Sequence, residues 1–368
     1  MKIFGSKKQQ TFLGLKIGYH SCRAVELRKE KKEIFLNNYG EIFFPFFQPQ
    51  PAIGLENLKI KKVPYFIEKF SPPEIMSDKI KTLLSKMKAN PEKAFVSLPS
   101  FLYFTLTLKT PFLPPEKILS FLKQESKKYL TLPLEDFDLG WQIVEGKMSF
   151  WEKKELKILV FAILKKYLNY FQEISNILKI PFLIEPEFFS LSRLFSKKEK
   201  LKETTFGLLH FDDECSTFLV FKKNLPFEIK IINVGNFEIL QTLMNETRIT
   251  FSIAEETRKN IGIEKEVFPG RKKIILNFFE NIMVEIERKI SDLERVKEEK
   301  IEKIFLSGPG AITAGFQDSF QSFLEKKVEF VPLEEKIIFP PGLQKYSQEV
   351  LSHFFLPLNA AFRGLEEK

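Results

Sequence analysis

Four short blocks of this sequence carry charges and glycines spaced for chemistry on a phosphate-bearing ligand. Residues 11–27 read as a strand, a tight turn at Gly18 and a second strand running back. Phe12, Leu13, Leu15 and Ile17 lead in, and Cys22, Ala24, Val25 and Leu27 lead out. Gly18 permits positive φ and lets backbone N–H groups approach an anion with no Cβ in the way. Lys16 and Arg23 flank it, two cations able to attract phosphate without a metal. A second strand–turn–strand, 206–211 and 216–221, carries Asp212, Asp213 and Glu214 in its turn. Two readings stand for these acids, a solvated acidic turn or a site that recruits Mg²⁺. In the third block Glu255 and Arg258 lie at i and i+3 on one helix face, placed either to meet two hydroxyls of a ligand or to pair with each other. The fourth block is the loop Ser307-Gly308-Pro309-Gly310-Ala311.

The elements that must position these blocks are legible from hydrophobic periodicity. Strands are expected at 33–46, 94–98, 101–108, 137–144, 155–163, 180–184, 228–232 and 301–306, and residues 47–72, broken by prolines, read as a loop-rich connection. Helices are expected at 73–89, from Pro114 through Tyr129, and at 164–179, 187–195, 236–244, 248–261, 273–297 and around 317–324. A final apolar helix should end at Gly364. Ile282, Ile286, Ile290 and Leu293 form one stripe on the long helix, suited to packing on its own lobe or to a coiled-coil seam. The charged run 196–205 marks a boundary, after which the opening strand–turn–strand is repeated. A chain of 368 residues with such an internal echo predicts two lobes.

Composition narrows the function. The 41 phenylalanines beside 2 tryptophans, together with 57 Lys and Arg, match AT-rich codon usage rather than an aromatic binding surface. The net charge of +9 suits an acidic partner or an anionic membrane face, yet Lys is interleaved with Glu and no nucleic-acid motif accompanies it. Cys22 and Cys215 lie in apolar strands and read as buried free thiols, and three scattered histidines offer no zinc spacing. Neither an apolar signal-peptide core nor a run of about 18 apolar residues is present, so a cytoplasmic protein is expected.

On these blocks the chain resembles the PilM family, actin-like proteins of the type IV pilus assembly platform related to the division protein FtsA. The likeness runs over residues 11–365. It is carried by Leu15-Lys-Ile-Gly…Arg23-Ala-Val-Glu-Leu27, by Gln124-Glu125…Tyr129…Pro133-Leu134-Glu135-Asp136, by Ala254-Glu-Glu-Thr-Arg258, by Leu306-Ser-Gly-Pro-Gly-Ala311 and by the closing Asn-Ala-Ala-Phe-Arg-Gly. The resemblance implies an α/β, ribonuclease H-like bilobal fold with two duplicated lobes and an inserted α+β subdomain. Its divisions would be a flexible N-terminus (1–10), subdomain 1A (11–99 and 164–199), the inserted 1C (100–163), 2A (200–234 and 300–365, with the C-terminal helix) and 2B (235–299).

It also implies an ATP site built from Lys16, Gly18, Arg23, Glu255, Arg258, Gly308 and Gly310, the two last glycines admitting a purine. The departures fall where phosphate chemistry lives. Lys16 replaces the family's first Mg²⁺-organising Asp, and His210-Phe211-Asp212 replaces the second Asp-hydrophobic-Gly, so Mg²⁺ binding is in doubt. Phosphoryl transfer depends on positioned metal and charge neutralisation, which argues against an efficient ATPase. The implied partner is the cytoplasmic N-terminal tail of a PilN-like inner-membrane protein. Tyr129, Leu130, Leu132, Leu134 and Phe137 are placed either to receive an extended apolar peptide or to pack the 1C helix on its sheet. An FtsA-like filament-forming ATPase is the alternative, and the lack of an amphipathic tail after Leu365 is read against it. A sugar or acetate kinase on the same fold would need an acid for the acceptor hydroxyl.

Overall fold

The computed structural model describes residues 10–44, 70–110, 113–130, 132–145, 155–196, 198, 201–264, 270–297, 300–332 and 337–366. Most of the loop-rich connection expected at 47–72 and nearly all of the N-terminal segment 1–10 lie outside the described residues.

Strands β1 (Gln10–Ile17), β2 (Ser21–Glu30) and β3 (Glu33–Phe43) form an antiparallel meander. β4 (Ala94–Leu98) and β8 (Phe182–Pro186) add on the far side of β1, each running parallel to its neighbour. The second lobe repeats that order. β9 (Thr205–Phe211), β10 (Ser216–Lys222) and β11 (Leu225–Ile232) form the meander, and β12 (Lys303–Ser307) and β13 (Lys327–Phe330) the parallel extension. Between β4 and β8 the chain leaves to build a separate antiparallel sheet, β5 (Tyr103–Thr110), β7 (Leu156–Leu164) and β6 (Phe137–Glu145), packed on helix α2 (Pro115–Ser126) through Ile118, Leu122, Ile158 and Val160.

The central strands are buried on both faces, as near-continuous apolar runs require. Helices α1 (Pro73–Lys86) and α3 (Lys165–Leu178) pack together in the first lobe, while α4 (Glu187–Arg193) packs beside the last helix, α10 (Phe355–Glu366). In the second lobe α5 (Asn236–Thr247), α6 (Phe251–Asn260), the long α7 (Arg271–Lys297) and α8 (Phe316–Leu324) enclose a core of their own. The stripe Ile282, Ile286, Ile290 and Leu293 is buried in that core, so α7 packs on its own lobe and offers no coiled-coil seam. Much of the phenylalanine excess is interior. Phe195, Phe206, Phe221 and Phe305 cluster where the lobes meet, with Phe206 and Phe221 stacked at 4.8 Å. Cys22 and Cys215 are buried free thiols.

Two expectations about the C-terminal region are corrected. Within residues 337–366, α9 (Ser347–His353) stays against β12 of the second lobe, but β14 (Ile337–Ile338) pairs with β3 and α10 lies on β1, β2 and β4 of the first. Nor does α10 end at Gly364, which sits inside the helix where a Cβ would lie 2.3 Å from Phe12 and 2.5 Å from Phe95. The glycine is there for close helix–sheet approach, not as a cap. Gly14 of β1 has the same role from the sheet side, its missing Cβ leaving room for the Pro357 carbonyl oxygen, 1.9 Å from where that carbon would be. Because the obstacle is backbone, it cannot rotate away. Gly14→Ala should therefore destabilise the chain by about 2–3 kcal/mol, read as a shifted urea midpoint, whereas Gly342→Ala, with open space around it, should leave the midpoint unchanged.

Candidate functional site

The two strand–turn–strand motifs face each other across the cleft between the lobes. Lys16 on β1 and Arg23 on β2 are direct cross-strand partners, so both cations emerge on one face, where they would repel each other. The opposing turn, Asp212 to Glu214, meets them with three carboxylates. Lys16 Nζ donates to Glu214 and lies 3.0 Å from Asp212. Arg23 donates from Nη1 to Asp212 at 2.6 Å, from Nη2 to Asp213, and from Nε to Glu41 at 2.7 Å. The far oxygen of Glu41 meets His353 Nε2 at 3.0 Å. The acidic turn is thus not solvated: Asp212, Asp213 and Glu214 are buried, as are Lys16 and Arg23.

Gly18 does not use positive φ, which among the described glycines occurs at Gly262, Gly270, Gly308 and Gly315. Its value is space: a Cβ there would lie 1.9 Å from Glu214 Oε1. That carboxylate also accepts from the backbone N–H of His20 at 3.4 Å. A side chain of the second lobe therefore fills the place where the first turn would receive an anion. The acidic turn is itself held by α5, whose first amides, from Asn236 and Phe237, donate to the carbonyls of Asp212 and Asp213 at 2.8 and 3.0 Å. The Asp213 carboxylate also accepts from Ser21 Oγ at 3.0 Å and from Asn236 Nδ2 at 3.1 Å.

Beside this cluster lies a second contact between the lobes. Glu187, at the start of α4, accepts from Thr217 Oγ1 at 2.8 Å and from the Ser100 amide at 3.2 Å, while the Ser100 and Thr217 hydroxyls meet at 2.7 Å. At the mouth of the cleft His20 stacks on Phe237 at 3.5 Å, Phe237 neighbours Phe251, and Phe251 meets Phe43 of β3 at 4.9 Å. Ions and rings together close the cleft.

Burial and the excess of acid over base set the protonation. Burial alone would lower the Lys16 pKa, but Asp212 and Glu214 raise it. Burial opposes ionisation of Asp212 too, yet Lys16 and Arg23 hold its carboxyl well below the usual range. Glu41, half-buried, is held down at about 2, against the effect of burial, by Arg23 and His353. Glu214 is the acid that gives way: burial, with Asp212 and Asp213 alongside, pushes it up to about 7 against the pull of Lys16. Burial, with Asp212 nearby, pushes Glu187 up to about 8.

The expected ribose and purine residues are likewise spoken for. Arg258 is fully buried and donates to the Pro309 carbonyl at 2.8 Å, to Thr313 Oγ1 at 2.7 Å and to Glu255 at 2.9 Å. Of the two readings of Glu255 and Arg258 the intrahelical pair is realised, and Arg258 uses it to pin the glycine loop. Gly308, at φ +93°, lies so close to Phe211 that a Cβ would meet its carbonyl oxygen at 2.4 Å, and a Cβ on Gly310 would meet the Phe211 ring at 2.5 Å. Both glycines serve packing within the chain. A cavity of about 410 Å³ lies beside them, lined by Lys259, Thr313, Gly315 and Gln348 among others. Glu214 thus lies where the resemblance would put a phosphate, and the Glu255 carboxylate it would offer to ribose accepts from Arg258.

The residues expected to form a peptide groove differ in their exposure. Tyr129 is exposed, Leu130 and Leu132 rest against the main core, Leu134 is half-buried, and Phe137 is buried against Phe104. A cavity of about 650 Å³ lies between the inserted sheet and both lobes, lined by Phe161, Ile163, Phe189, Arg193, Leu225 and Arg363 among others. Sequence reasoning also passed over Glu41, Glu187, Ser100 and His353. The readable signal was an acid at the first turn of a helix inside an apolar run, Glu187 in Ile184-Glu-Pro-Glu-Phe-Phe189.

Comparison with known proteins bears on the fold. The chain is similar to the solved structure of a PilM–PilN type IV pilus biogenesis complex, at 17% identity and a TM-score of 0.79, over 96% of this chain and 98% of that one. It is also similar to the ethanolamine utilization protein EutJ from Carboxydothermus hydrogenoformans, at 11% identity and a TM-score of 0.51, over 98% and 92% of the two chains. No family model matches, and no curated protein does. The fold is the actin-like α/β fold with two duplicated lobes.

The protonation of the cleft makes a measurable difference to stability. Glu187 and Glu214 hold a proton more tightly folded than unfolded, where their pKa is 4.5, so their contribution is whole below that value and is lost as pH rises through about 7 and about 8. His210, pushed down to about 4 by burial, acts in the opposite sense below its ordinary 6.5. Above about pH 6.5 the two glutamates dominate, and the thermal midpoint should fall by a few degrees on going to pH 8. Glu187→Gln/Glu214→Gln should flatten that slope; a slope unchanged in the double variant would assign it to other groups.

Proposed function

We propose that this chain is a non-hydrolysing actin-like scaffold of a type IV pilus, or related secretion, assembly platform, and that it seats an extended segment of a PilN-like membrane protein. The observation that carries this reading is the Glu214 carboxylate over Gly18, neutralised by Lys16, in the place where an actin-like ATPase would need a phosphate. A triphosphate entering the cleft would meet buried carboxylates and would have to displace an internal ion cluster, at a cost no single phosphate contact offsets. With Asp212, Asp213 and Glu214 engaged by Lys16 and Arg23 rather than by a metal, phosphoryl transfer lacks a key part. What remains is a rigid body with defined surfaces.

The surface suited to a partner is the groove between the inserted sheet and the lobes. Phe161, Leu168, Phe189 and Leu225 supply apolar walls, and Arg193 and Arg363 supply donors at one end. That mixture suits an extended peptide with apolar anchors, and this groove replaces the Tyr129–Phe137 patch as the proposed seat. The similar solved structure is a complex with PilN, which supports the same kind of partner. Among the described residues no helix is long and apolar enough to cross a membrane, so on this reading the scaffold is held at the cytoplasmic membrane face by its partner.

Calorimetric titration tests both halves of the proposal. ATP, with or without Mg²⁺, should give no micromolar binding and no turnover. The cytoplasmic segment of the PilN-like protein from the same genome should bind equally well in the presence and absence of ATP. Leu225→Arg, at a 37% exposed position, should weaken that binding about tenfold or more without shifting the melting temperature. Mg²⁺-dependent ATP binding with turnover would overturn the scaffold reading.

A further inference from the structure

The groove does not stop at Arg193. On the other side of that side chain lies a second cavity, of about 410 Å³, and the two cavities share Arg193 and Glu366 as a common wall. Arg193 Nε donates to Glu366 at 3.1 Å, which closes the wall. Arg193 is itself fixed, donating also to Glu185 at 2.7 and 2.8 Å and to the Asn359 carbonyl at 3.0 Å. Glu366, with its side chain 37% exposed, is the half able to turn aside.

The second cavity differs from the first in charge. Lys29 at the end of β2, Lys31 and Lys32 in the β2–β3 turn, and Lys198 line it over an apolar floor that includes Ile34, Leu194 and Phe362. Glu366 is the one carboxylate among its lining residues. Lys29, Lys31 and Lys32 are exposed, and among the described residues none has a carboxylate within ion-pair distance. Next to Lys29 on β2, by contrast, Arg28 is taken by Glu30 at 2.5 Å. A concave rim that carries Lys29, Lys31 and Lys32 over an apolar floor is complementary to an anion that carries apolar groups.

We infer that the segment seated in the apolar groove continues past Arg193 into this basic cavity, and that the continuation is an acidic stretch of peptide with at least one apolar side chain. The inference rests on the reading of the neighbouring groove as the partner's seat. A carboxylate of the incoming segment replaces Glu366 on Arg193, which joins the two cavities into one channel. The concavity favours a strand of chain over a flat anionic bilayer, which would reach the rim lysines and leave the apolar floor empty.

Two fluorescent peptides test this by anisotropy on the full chain. They share an apolar first half and differ in the second, a run of glutamates in one and of glutamines in the other. The glutamate peptide should bind about tenfold more tightly. Lys29→Glu/Lys31→Glu/Lys32→Glu, a change confined to exposed side chains, should abolish that advantage and leave the glutamine peptide's affinity unchanged. Equal affinity of the two peptides, an advantage that survives the charge reversal, or no binding of either would overturn the inference. Binding of the glutamine peptide, and its loss in Leu225→Arg, reports separately on the groove. Sedimentation with phosphatidylglycerol vesicles that is lost on charge reversal, with no peptide advantage, would overturn the inference in favour of a membrane contact.

Discussion

Lys16 and Arg23 stand opposite each other on one antiparallel ladder, buried, and no residue of their own hairpin neutralises them. Two like charges out of water are tolerable only if counter-charges arrive from elsewhere, and most of these come from the other lobe, in Asp212, Asp213 and Glu214. The relative position of the lobes is therefore dictated by an electrostatic requirement of the first hairpin. Such a cluster adds little net stability over an apolar interface, because desolvation consumes much of the Coulombic gain. Its strength lies in intolerance: removing one partner strands the rest and costs about 3–5 kcal/mol. A cleft built this way has one arrangement. Swapping an acid for Lys16 in the first turn and a glycine for Asp212 in the second would each be ruinous alone, and the two departures make sense as a matched pair.

The duplicated meanders, the inserted sheet and most helices were legible because their hydrophobic periods are long and their breaks fall at proline and glycine. The fold followed from that pattern, and the cation pair was visible as residue types. The partners were not. Glu41 reaches Arg23 only because β3 carries an extra residue, Asn37, opposite the Glu26–Leu27 step of β2; Leu27 faces Leu36, and an unbroken register would have set Gly40 opposite Arg23. Asp212, Asp213 and Glu214 read as a solvated turn because consecutive acids usually are, and their burial depends on cations about 190 residues away in sequence. Phe137 looked available to a peptide because it follows a polar turn, whereas Phe104, which covers it, belongs to a different strand. Each miss is a contact between elements, which no local pattern encodes.

Glycine made the opposite lesson. Gly18, Gly308 and Gly310 lie where the resemblance expects close approach, and in each case something does approach closely: Glu214, the Phe211 carbonyl and the Phe211 ring. A glycine therefore marks crowding without saying what crowds it. Arg258 shows the same ambiguity, since a guanidinium spaced to meet a sugar is equally spaced to hold a loop carbonyl and a hydroxyl. What separates ligand contacts from internal contacts is whether the counter-group is supplied by the chain.

The return of α10 to the first lobe has a consequence for how the protein comes into being. A ribosome makes β1 to β4 before the second lobe, but the helix that covers them, and the backbone carbonyl that Gly14 makes room for, are made only after that lobe. The acids that answer Lys16 and Arg23 also emerge only after the inserted sheet is complete. The first lobe therefore cannot finish folding during its own synthesis. It waits, with an apolar face and two uncompensated charges, for most of the chain to be translated. High sequence separation between such partners slows folding and lengthens exposure to aggregation, so this topology places its demand on chaperoning early and its reward late.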